Sequence, residues 1–382
     1  MYLKNLHLRS FRNYIDRQIE FRAKKTILVG NNAQGKSNLL EAVELLASLK
    51  SHRTTRDREL VLDSARAGQV VATVERAYGT SQLSIIFRKQ GRRTVAVNKE
   101  TLRRQLDFLG VLNAVRFSSL DLDLVRGAPD SRRSWIDGLL IQLEPVYSSI
   151  LQQYNQVLRQ RNALLKKIRA TKESLESGEI TDDYEPQLRL WDEQLAAAGS
   201  RVARRRARVI TRLAPIAHFW HQRISGNEQL EINYLPNVEW TKDDPIEVQQ
   251  AFLNKIQQRR IAEQYQGKTV VGTHRDEIEF TINTTPARYY GSQGQQRTLV
   301  LALKLAELKL IEEVVGEPPL LLLDDVLAEL DPNRQQQLLE VIGDRFQTII
   351  TTTHIDTFNH EWIKNSQILA VEAGQISEVL LN

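Results

Sequence analysis

Gly30-Asn31-Asn32-Ala33-Gln34-Gly35-Lys36-Ser37 satisfies the pattern G-x-x-x-x-G-K-[ST] at every fixed position. The apolar run Thr26-Ile27-Leu28-Val29 stands directly before it. After it, from Asn38 to Lys50, Leu39, Leu40, Val43, Leu46, Ala47 and Leu49 recur at helical spacing. A glycine-rich loop joining a buried strand to a helix is the setting in which this motif binds phosphate. Gly30 and Gly35 let the backbone curl with its N–H groups inward, and the helix N-terminus adds partial positive charge. In such a cradle Lys36 reaches the β- and γ-phosphates and Ser37 coordinates Mg²⁺, while Asn31, Asn32, Ala33, Gln34 and Asn38 complete the nucleotide contact. A chance match in an ordinary loop is the competing reading, and the flanking strand and helix argue against it.

A second stretch complements the first. Leu320-Leu321-Leu322-Leu323-Asp324-Asp325 reads as a strand buried on both faces, as in a parallel sheet, and it ends in two carboxylates. Strand ends of this kind line the crevice where α/β folds bind ligands. Asp324 is expected to hold Mg²⁺, directly or through water, and Asp325 to orient or deprotonate the attacking water. Gly291-Ser292-Gln293-Gly294-Gln295-Gln296-Arg297 precedes a helix through Leu299, Leu303, Ala306 and Leu310. Ser292, Gly294 and Gln295 thus form a second anion site at a helix N-terminus. Glu329-Leu330-Asp331-Pro332 follows, then a strand at Thr348-Ile349-Ile350 leading to Thr351-Thr352-Thr353-His354. His354 reads either as a structural residue at a strand end or as a catalytic group on the γ-phosphate side of the sheet.

The chain has 382 residues, enough for two or three domains, and its 41% hydrophobic and 26% charged content is that of a soluble globular protein. No apolar run approaches the ~20 residues that span a bilayer, so a membrane partner is not expected. The N-terminus alternates like a strand and has no signal-peptide core. The absence of cysteine excludes disulfides and thiolate metal sites, and a cytoplasmic location is expected. A net charge of +5 leans toward a polyanionic partner.

Residues 1–29 read as strand, turn, strand, with a polar turn at Ser10-Phe11-Arg12-Asn13-Tyr14. Residues 70–75, 83–88 and 94–97 look like short strands of an antiparallel meander, with turns at Gly79 and Gly91. From about 143 the period changes. Leu143, Tyr147, Ile150, Tyr154, Val157, Arg161, Leu164 and Ile168 form a heptad seam. Polar Thr171 to Gln187, with Gly178 and Pro186, interrupts it, and a second seam follows at Leu188, Trp191, Leu195, Ala198, Val202, Arg205 and Val209. The pair reads as an antiparallel helical hairpin with arms of roughly 35–40 Å, or as two ordinary helices of a bundle. Arg159, Arg161, Lys166, Lys167, Arg201, Arg204, Arg205, Arg208 and Arg212 lie on these arms. Such a run is ordinarily a solvated face. Taken together with the SMC-like ATPases that the whole set of motifs resembles, its place near the paired ends of two arms implies a surface for the DNA phosphate backbone, with affinity but no base specificity.

The order of these motifs resembles the head of ABC-type ATPases: Walker A, an insertion, a signature loop, Walker B, a D-loop and a switch histidine. The hairpin insertion makes it similar to the SMC-like branch. Within that branch it resembles the bacterial RecF family, through Phe11-Arg12-Asn13-Tyr14, Lys36 to Ala42, Ser51-His52-Arg53-Thr54, Gly127 to Arg133, Thr273-His274-Arg275-Asp276-Glu277, Ser292 to Arg297 and Leu323 to Asp331. The resemblance implies an α/β fold: an ABC-type head with a mixed sheet and an antiparallel meander, interrupted by a helical domain with a short coiled-coil hairpin. Expected boundaries are 1–115 and 267–382 for the head and 116–266 for the insertion. The resemblance further implies a slow, DNA-stimulated ATPase that dimerises on ATP, recognises gapped or duplex–single-strand junction DNA, and promotes RecA loading with RecO and RecR. An SMC-like tether using ATP as a dimer switch and an engine for a membrane transporter are the rival functions. Two departures stand out. Gln293 replaces the first glycine of the common signature, and Asp325 replaces the usual glutamate, which implies slow hydrolysis. For the Q-loop glutamine, Gln69, Gln82 and Gln90 are candidates.

Overall fold

The structure is a computed structural model describing residues 1–174, 184–355, 358 and 360–379; Gly178, in the expected interarm loop, lies outside the described residues. The chain starts with β1 (Tyr2–Phe11), β2 (Tyr14–Glu20), β3 (Lys25–Val29) and α1 (Lys36–Ser48). Next come β4 (Ala67–Arg76), β5 (Gly79–Arg88), β6 (Thr94–Val97), β7 (Glu100–Thr101) and β8 (Ala114–Ser118). Helices α2 (Asp123–Arg126), α3 (Pro129–Leu143), α4 (Tyr147–Ser174) and α5 (Glu185–Ser225) precede β9 (Leu230–Leu235), α6 (Pro245–Gln266), β10 (Glu277–Ile282), β11 (Thr285–Pro286) and α7 (Ala287–Tyr290). The chain continues with α8 (Gln293–Val315), β12 (Leu320–Asp324), α9 (Pro332–Ile342), β13 (Thr348–Thr352), α10 (His360–Lys364), β14 (Ser366–Glu372) and β15 (Gln375–Glu378).

Two compact units result. The first comprises Met1–Leu122, Ile216–Glu228 and the residues from Gly291 on; the second comprises Asp123–Pro215 and Gln229–Tyr290. These limits differ from the expected 115/116 and 266/267. A cut at 115 would divide β8, whose residues Ala114 to Ser118 pair with Leu320 to Asp324 of β12. Residues 267–290 stay with the second unit because β10 pairs antiparallel with β9, Glu277 opposite Leu235 through Ile282 opposite Leu230.

In the first unit, one sheet has the order β15-β14-β3-β13-β12-β8, with β14, β3, β13, β12 and β8 parallel and β15 antiparallel at the edge. Leu320 to Leu323, Ile349, Ile350, Ile27 and Leu28 are all buried, as strands covered on both faces require. The other sheet is antiparallel, β2-β1-β4-β5-β6-β7. Val70, Ala72 and Val74 of β4 and Leu83, Ile85 and Phe87 of β5 alternate inward. Helix α1 contacts β4 and β5 on one sheet and β8, β12 and β13 on the other. This explains why Leu39, Leu40, Ala42, Val43, Leu45 and Leu46 are all buried around its circumference. The register aligns the C-terminal ends of Ser118, Asp324, Thr351 and Val29 along one margin of the parallel sheet, where the glycine-rich loop begins.

In the second unit α4 and α5 run antiparallel, with Leu164, Leu165, Ile168 and Leu188 clustered and Tyr184 and Trp191 against them. The seam residues Tyr147, Ile150, Tyr154, Val157, Leu195, Ala198, Val202 and Val209 are buried. Leu143 instead ends α3, and Pro145 sits in the turn before α4. Helix α6 packs along α4, so a third helix flanks the hairpin. Helix α5 extends well beyond the second seam, through Pro215, to Ser225.

Candidate nucleotide site

The loop between β3 and α1 is built around two glycines that nothing larger could replace. A Cβ on Gly30 would stand 2.3 Å from the Val371 carbonyl oxygen. Gly35 has φ 119°, and its Cβ would stand 2.7 Å from Asn13 Nδ2. Helix α1 starts immediately afterwards with no side-chain cap hydrogen bond and no acidic residue in its first turn, an N-terminus whose dipole suits an anion. Lys36 Nζ donates to the carbonyls of Gly30 at 2.6 Å and Asn31 at 2.8 Å. Burial pulls its ammonium below the ordinary lysine pKa, against the opposing charges of Asp325 and Asp324. A phosphate beside it would favour the charged form again.

The turn expected in this stretch is present as Arg12-Asn13 between paired Phe11 and Tyr14, and the Phe11-Arg12-Asn13-Tyr14 stretch is also the brace of this loop. Phe11 and Tyr14 belong to β1 and β2 and are buried. Asn13 Nδ2 donates to Gln34 O at 2.9 Å, and Asn38 Nδ2 donates to Asn13 Oδ1 at 2.8 Å. The Tyr14 hydroxyl donates to Gly35 O at 2.9 Å, and burial pushes its pKa well up, so it remains a donor. Arg12 clamps Glu41 of α1 with two bonds, Nε–Oε2 at 2.8 Å and Nη2–Oε1 at 2.6 Å. Burial opposes ionisation of Glu41, but the hydrogen bonds from Arg12 and Ser51 outweigh it and hold the carboxyl below its usual range. Arg53 donates to Asn38 Oδ1 at 2.6 Å, which places its guanidinium at the first turn of α1. Gln34 is held by the turn after β14: Ala373 N donates to its Oε1 at 2.6 Å. Its side chain is therefore part of the brace.

Across the margin of the sheet, Ser37 Oγ donates to Asp324 Oδ1 at 2.8 Å, and Thr351 Oγ1 donates to the same oxygen at 2.9 Å. Asp325 N donates to Thr351 Oγ1 at 2.9 Å, and Asp325, exposed with φ 56°, turns away from the strand. Lys36, Ser37 and Asp324 are thus brought together. Thr351 was missed by sequence reasoning; its only signal was a hydroxyl run closing an apolar strand. His354 is exposed just beyond β13, its N–H on Thr352 Oγ1 at 3.2 Å. Among the described residues no three of His, Cys, Asp and Glu converge on one point. One hydroxyl and one carboxylate, hydrogen-bonded to each other, suit Mg²⁺, which keeps water and phosphate oxygens in its octahedron.

Ser292 and Gln295 form a capping box on α8: Ser292 Oγ accepts from Gln295 N, and Ser292 N donates to Gln295 Oε1 at 2.8 Å. Gln295 Nε2 donates to Glu228 at 2.7 Å, and Gly294 O accepts from Arg334 at 3.2 Å. These bonds tie the loop to the first turn of α8, to Glu228 and to Arg334. None of the three glutamines considered for the Q-loop stands at the strand margin. Gln69 and Gln82 lie on β4 and β5, with Gln69 on Ser84 at 3.2 Å, and Gln90 follows β5. The segment leaving β8 beside Asp324 presents Asp121, which accepts from Ser118 N at 2.7 Å and pairs with Lys304 of α8 at 3.2 Å. Burial disfavours the Lys304 charge, but Asp121 and Glu307 win and raise its pKa.

The arm cations divide. Arg161 is fully buried, bonded to Asp192 at 2.8 Å, Glu263 at 2.6 Å and Thr269 at 2.9 Å, so it holds the helices together and cannot meet phosphate. Arg204 and Arg208 both pair with Asp243 at 2.5 Å, and Arg205 pairs with Glu144 at 3.1 Å. Arg159, Lys166, Lys167, Arg201 and Arg212 are exposed. They do not gather at one end. Lys166 and Lys167 follow Leu165, which clusters with Leu188, whereas Arg205 meets Glu144 at the other end of the hairpin, roughly 25 Å away along α5.

Comparison with known proteins accords with this architecture. Residues 2–377 match the family described as RecF/RecN/SMC N terminal domain. A protein of Gloeothece citriformis named DNA replication and repair protein RecF is 70% identical over 384 residues, covering 99% of this chain and 100% of its own length. A protein of the same name from Synechocystis is 63% identical over 380 residues, covering 99% and 98%. The solved structure of a recombination mediator protein described as RecF-ATPrS in the RecFOR pathway superposes with a TM-score of 0.90 at 31% identity, covering 99% of this chain and 98% of that one. The Smc head of Pyrococcus furiosus, at 16% identity and a TM-score of 0.54, shares the fold, with 100% and 96% of the two chains covered. Motifs, fold and relatives agree along nearly the whole length, and the chain belongs to the RecF family of SMC-like, ABC-type ATPases.

Proposed function

We propose that this chain binds ATP with Mg²⁺, closes into a dimer around it, and in that state holds gapped or duplex–single-strand junction DNA. It then acts in the cytoplasm as a recombination mediator that promotes RecA loading together with RecO and RecR. The observation that carries the reading is the 2.8 Å hydrogen bond between Ser37 Oγ and Asp324 Oδ1, which joins two motifs 287 residues apart in sequence at one point. Bound there, Mg²⁺ would neutralise phosphate charge. Lys36 would leave the carbonyls of Gly30 and Asn31 for the β- and γ-phosphate oxygens. The amides of residues 31–38 would contact the remaining oxygens, and Asp325 would orient the attacking water, with His354 beside it. Asp325 is one C–C bond shorter than glutamate, which accords with slow turnover. Ser292, Gly294 and Gln295 would serve the γ-phosphate of a second copy. DNA would meet Arg159, Lys166, Lys167, Arg201 and Arg212, while Arg204, Arg205 and Arg208 would first have to leave their acidic partners.

The tether reading is less well supported, because α4 has 28 residues and spans only about 42 Å. Among the described residues no helix is long and apolar enough to cross a membrane. The test is binding of gapped, duplex and single-stranded DNA with ATP, with a non-hydrolysable analogue and with ADP. Junction binding that needs the triphosphate is the expected result. Equal binding with ADP would overturn the proposal.

A further inference from the structure

The loop that opens α8 has an exposed side and a tied side. Ser292 and Gln293 are exposed, whereas Gln295 is half-buried. The Gln295 amide bridges two groups that allow it a single orientation. The backbone N–H of Ser292 can only donate, and it donates to Gln295 Oε1 at 2.8 Å. A carboxylate can only accept, and Glu228 Oε1 accepts from Gln295 Nε2 at 2.7 Å. Turning the amide over would set donor against donor and oxygen against carboxylate. Glu228 thereby fixes which atom of Gln295 faces the backbone, and supports the capping box that the Gln295 N–H completes on Ser292 Oγ at 3.2 Å.

Glu228 stands 67 residues before Gln295, just past Gly226, which has φ 87° and ends α5 with its N–H on Gln222 O at 2.9 Å. The turn after α5 thus delivers the carboxylate to the first turn of α8. Its other oxygen, Oε2, is 3.9 Å from His221 Nε2, beyond hydrogen-bond reach. Burial first, then the charges of His218 and Arg334, lower the His221 pKa, against a backbone bond and the charge of Glu228 that raise it. The ring is therefore a weak rival to Gln295 for the carboxylate. On the opposite flank Arg334 Nη2 donates to Gly294 O at 3.2 Å. A carboxylate beside a loop that meets phosphate repels the anion, so Glu228 contributes through the geometry it imposes and not through its charge. We propose that Glu228 is a positioning residue for the signature loop: it sets the amide of Gln295, and so the shape in which Ser292 is offered to the γ-phosphate of a second copy. The offer to a second copy rests on the ATP-bound dimer proposed for this chain; the tie between Glu228 and Gln295 does not.

Two measurements on the full chain test the two halves. Without nucleotide, amide hydrogen exchange over residues 292–297 reports the cap. Glu228→Ala should exchange there several-fold faster than the parent, and Glu228→Gln, which keeps an acceptor, at about the parent's rate. Gln295→Glu sets two carboxylates together and should also exchange faster. Glu228→Gln combined with Gln295→Glu restores a donor–acceptor pair and should bring the rate back. With ATP, sedimentation reports association. Glu228→Ala should dimerise about tenfold more weakly and Glu228→Gln at least as well as the parent, while both bind a fluorescent ATP analogue as the parent does. Parental exchange in Glu228→Ala, no recovery in the double variant, or parental dimerisation in Glu228→Ala would overturn the proposal. A parent that stays monomeric with ATP would overturn the offer to a second copy, with the exchange rates still deciding the tie to Gln295.

Discussion

A single carboxylate oxygen, Asp324 Oδ1, takes hydrogen bonds from two hydroxyls, and the backbone of Asp325 is held by one of them. Thr351 thus sets the positions of both acids. Thr351→Val deletes the donor to Asp324 and leaves the Asp325 N–H unpaired, so turnover should fall by about tenfold with ATP affinity largely kept, and Thr351→Ser should restore it. Asp324→Asn should lose Mg²⁺-dependent hydrolysis, and Asp325→Asn should hold ATP longer; steady-state turnover and filter binding read all four. Full activity in Thr351→Val would return that hydroxyl to a packing role. A second residue, His274, links pH to stability. Its Nδ1 lies 2.7 Å from the Tyr154 hydroxyl and its Nε2 3.2 Å from Thr269 O. Burial first, then the charges of Arg275, Arg133 and Arg161, lower its pKa from 6.5 to about 4, against a bond to Thr269 that raises it. The folded chain therefore takes up this proton later than the unfolded chain. The stabilisation is complete above about pH 6.5 and is lost as pH falls through 4. Melting temperature should drop across that window, and His274→Gln should flatten the drop; parallel curves for the two proteins would refute the assignment. The His274 partners lie 5 and 120 residues away in sequence, which is why the motif around it read as family resemblance and not as a buried switch.

Elements with a uniform period were readable; those decided by distant partners were not. Leu320 to Leu323 announced a strand covered on both faces, and the seam through Tyr154, Val157 and Leu164 announced the hairpin, because each pattern is set by its own burial. Arg161 in that seam looked like a charge for DNA, since its acids sit on α5 and α6. Helix α5 runs past the last seam residue, Val209, and through Pro215 to Ser225, and the second unit keeps residues 267–290 because of a β9–β10 ladder that no local pattern reveals. One contact between elements bears on the proposed dimerisation. Arg334, in the first turn of α9, pairs with its cap residue Asp331 and also reaches α8, with Nε on Thr298 Oγ1 at 2.8 Å and Nη2 on Gly294 O at 3.2 Å. The D-loop and the signature loop therefore share one guanidinium. Arg334→Met should leave ATP binding by the monomer intact while weakening ATP-dependent dimerisation several-fold, with Arg334→Lys recovering little because the fork is lost. Sedimentation with ATP measures this, and wild-type dimerisation in Arg334→Met would show that the two loops are positioned independently.

For the molecule as a whole, the proposed composite site rests on which groups one chain brings together among the described residues. Lys36, Ser37 and Asp324 meet, while the bonds of Ser292, Gly294 and Gln295 run to α8, Glu228 and Arg334. A signature loop that serves the γ-phosphate of another copy gives an isologous dimer with two composite sites, and ATP then couples association to binding by linkage. Dimers with ATP and monomers with ADP are the expected states. Ser292→Arg should abolish the dimer, but it also removes an N-cap worth about 1 kcal/mol, so its effect mixes folding of α8 with chemistry. Ser292→Asp separates the two. It keeps a capping oxygen and adds negative charge where the γ-phosphate would arrive, so melting temperature should hold while ATP-dependent dimerisation is lost. Mixing Lys36→Met chains with Ser292→Asp chains is decisive. Their heterodimer pairs one intact Lys36 with one intact Ser292 in one of its two sites, so ATPase activity absent from either variant alone should return in the mixture. No recovery from a mixture in which crosslinking confirms heterodimers, or wild-type hydrolysis by Ser292→Asp alone, would place the whole reaction within a single chain.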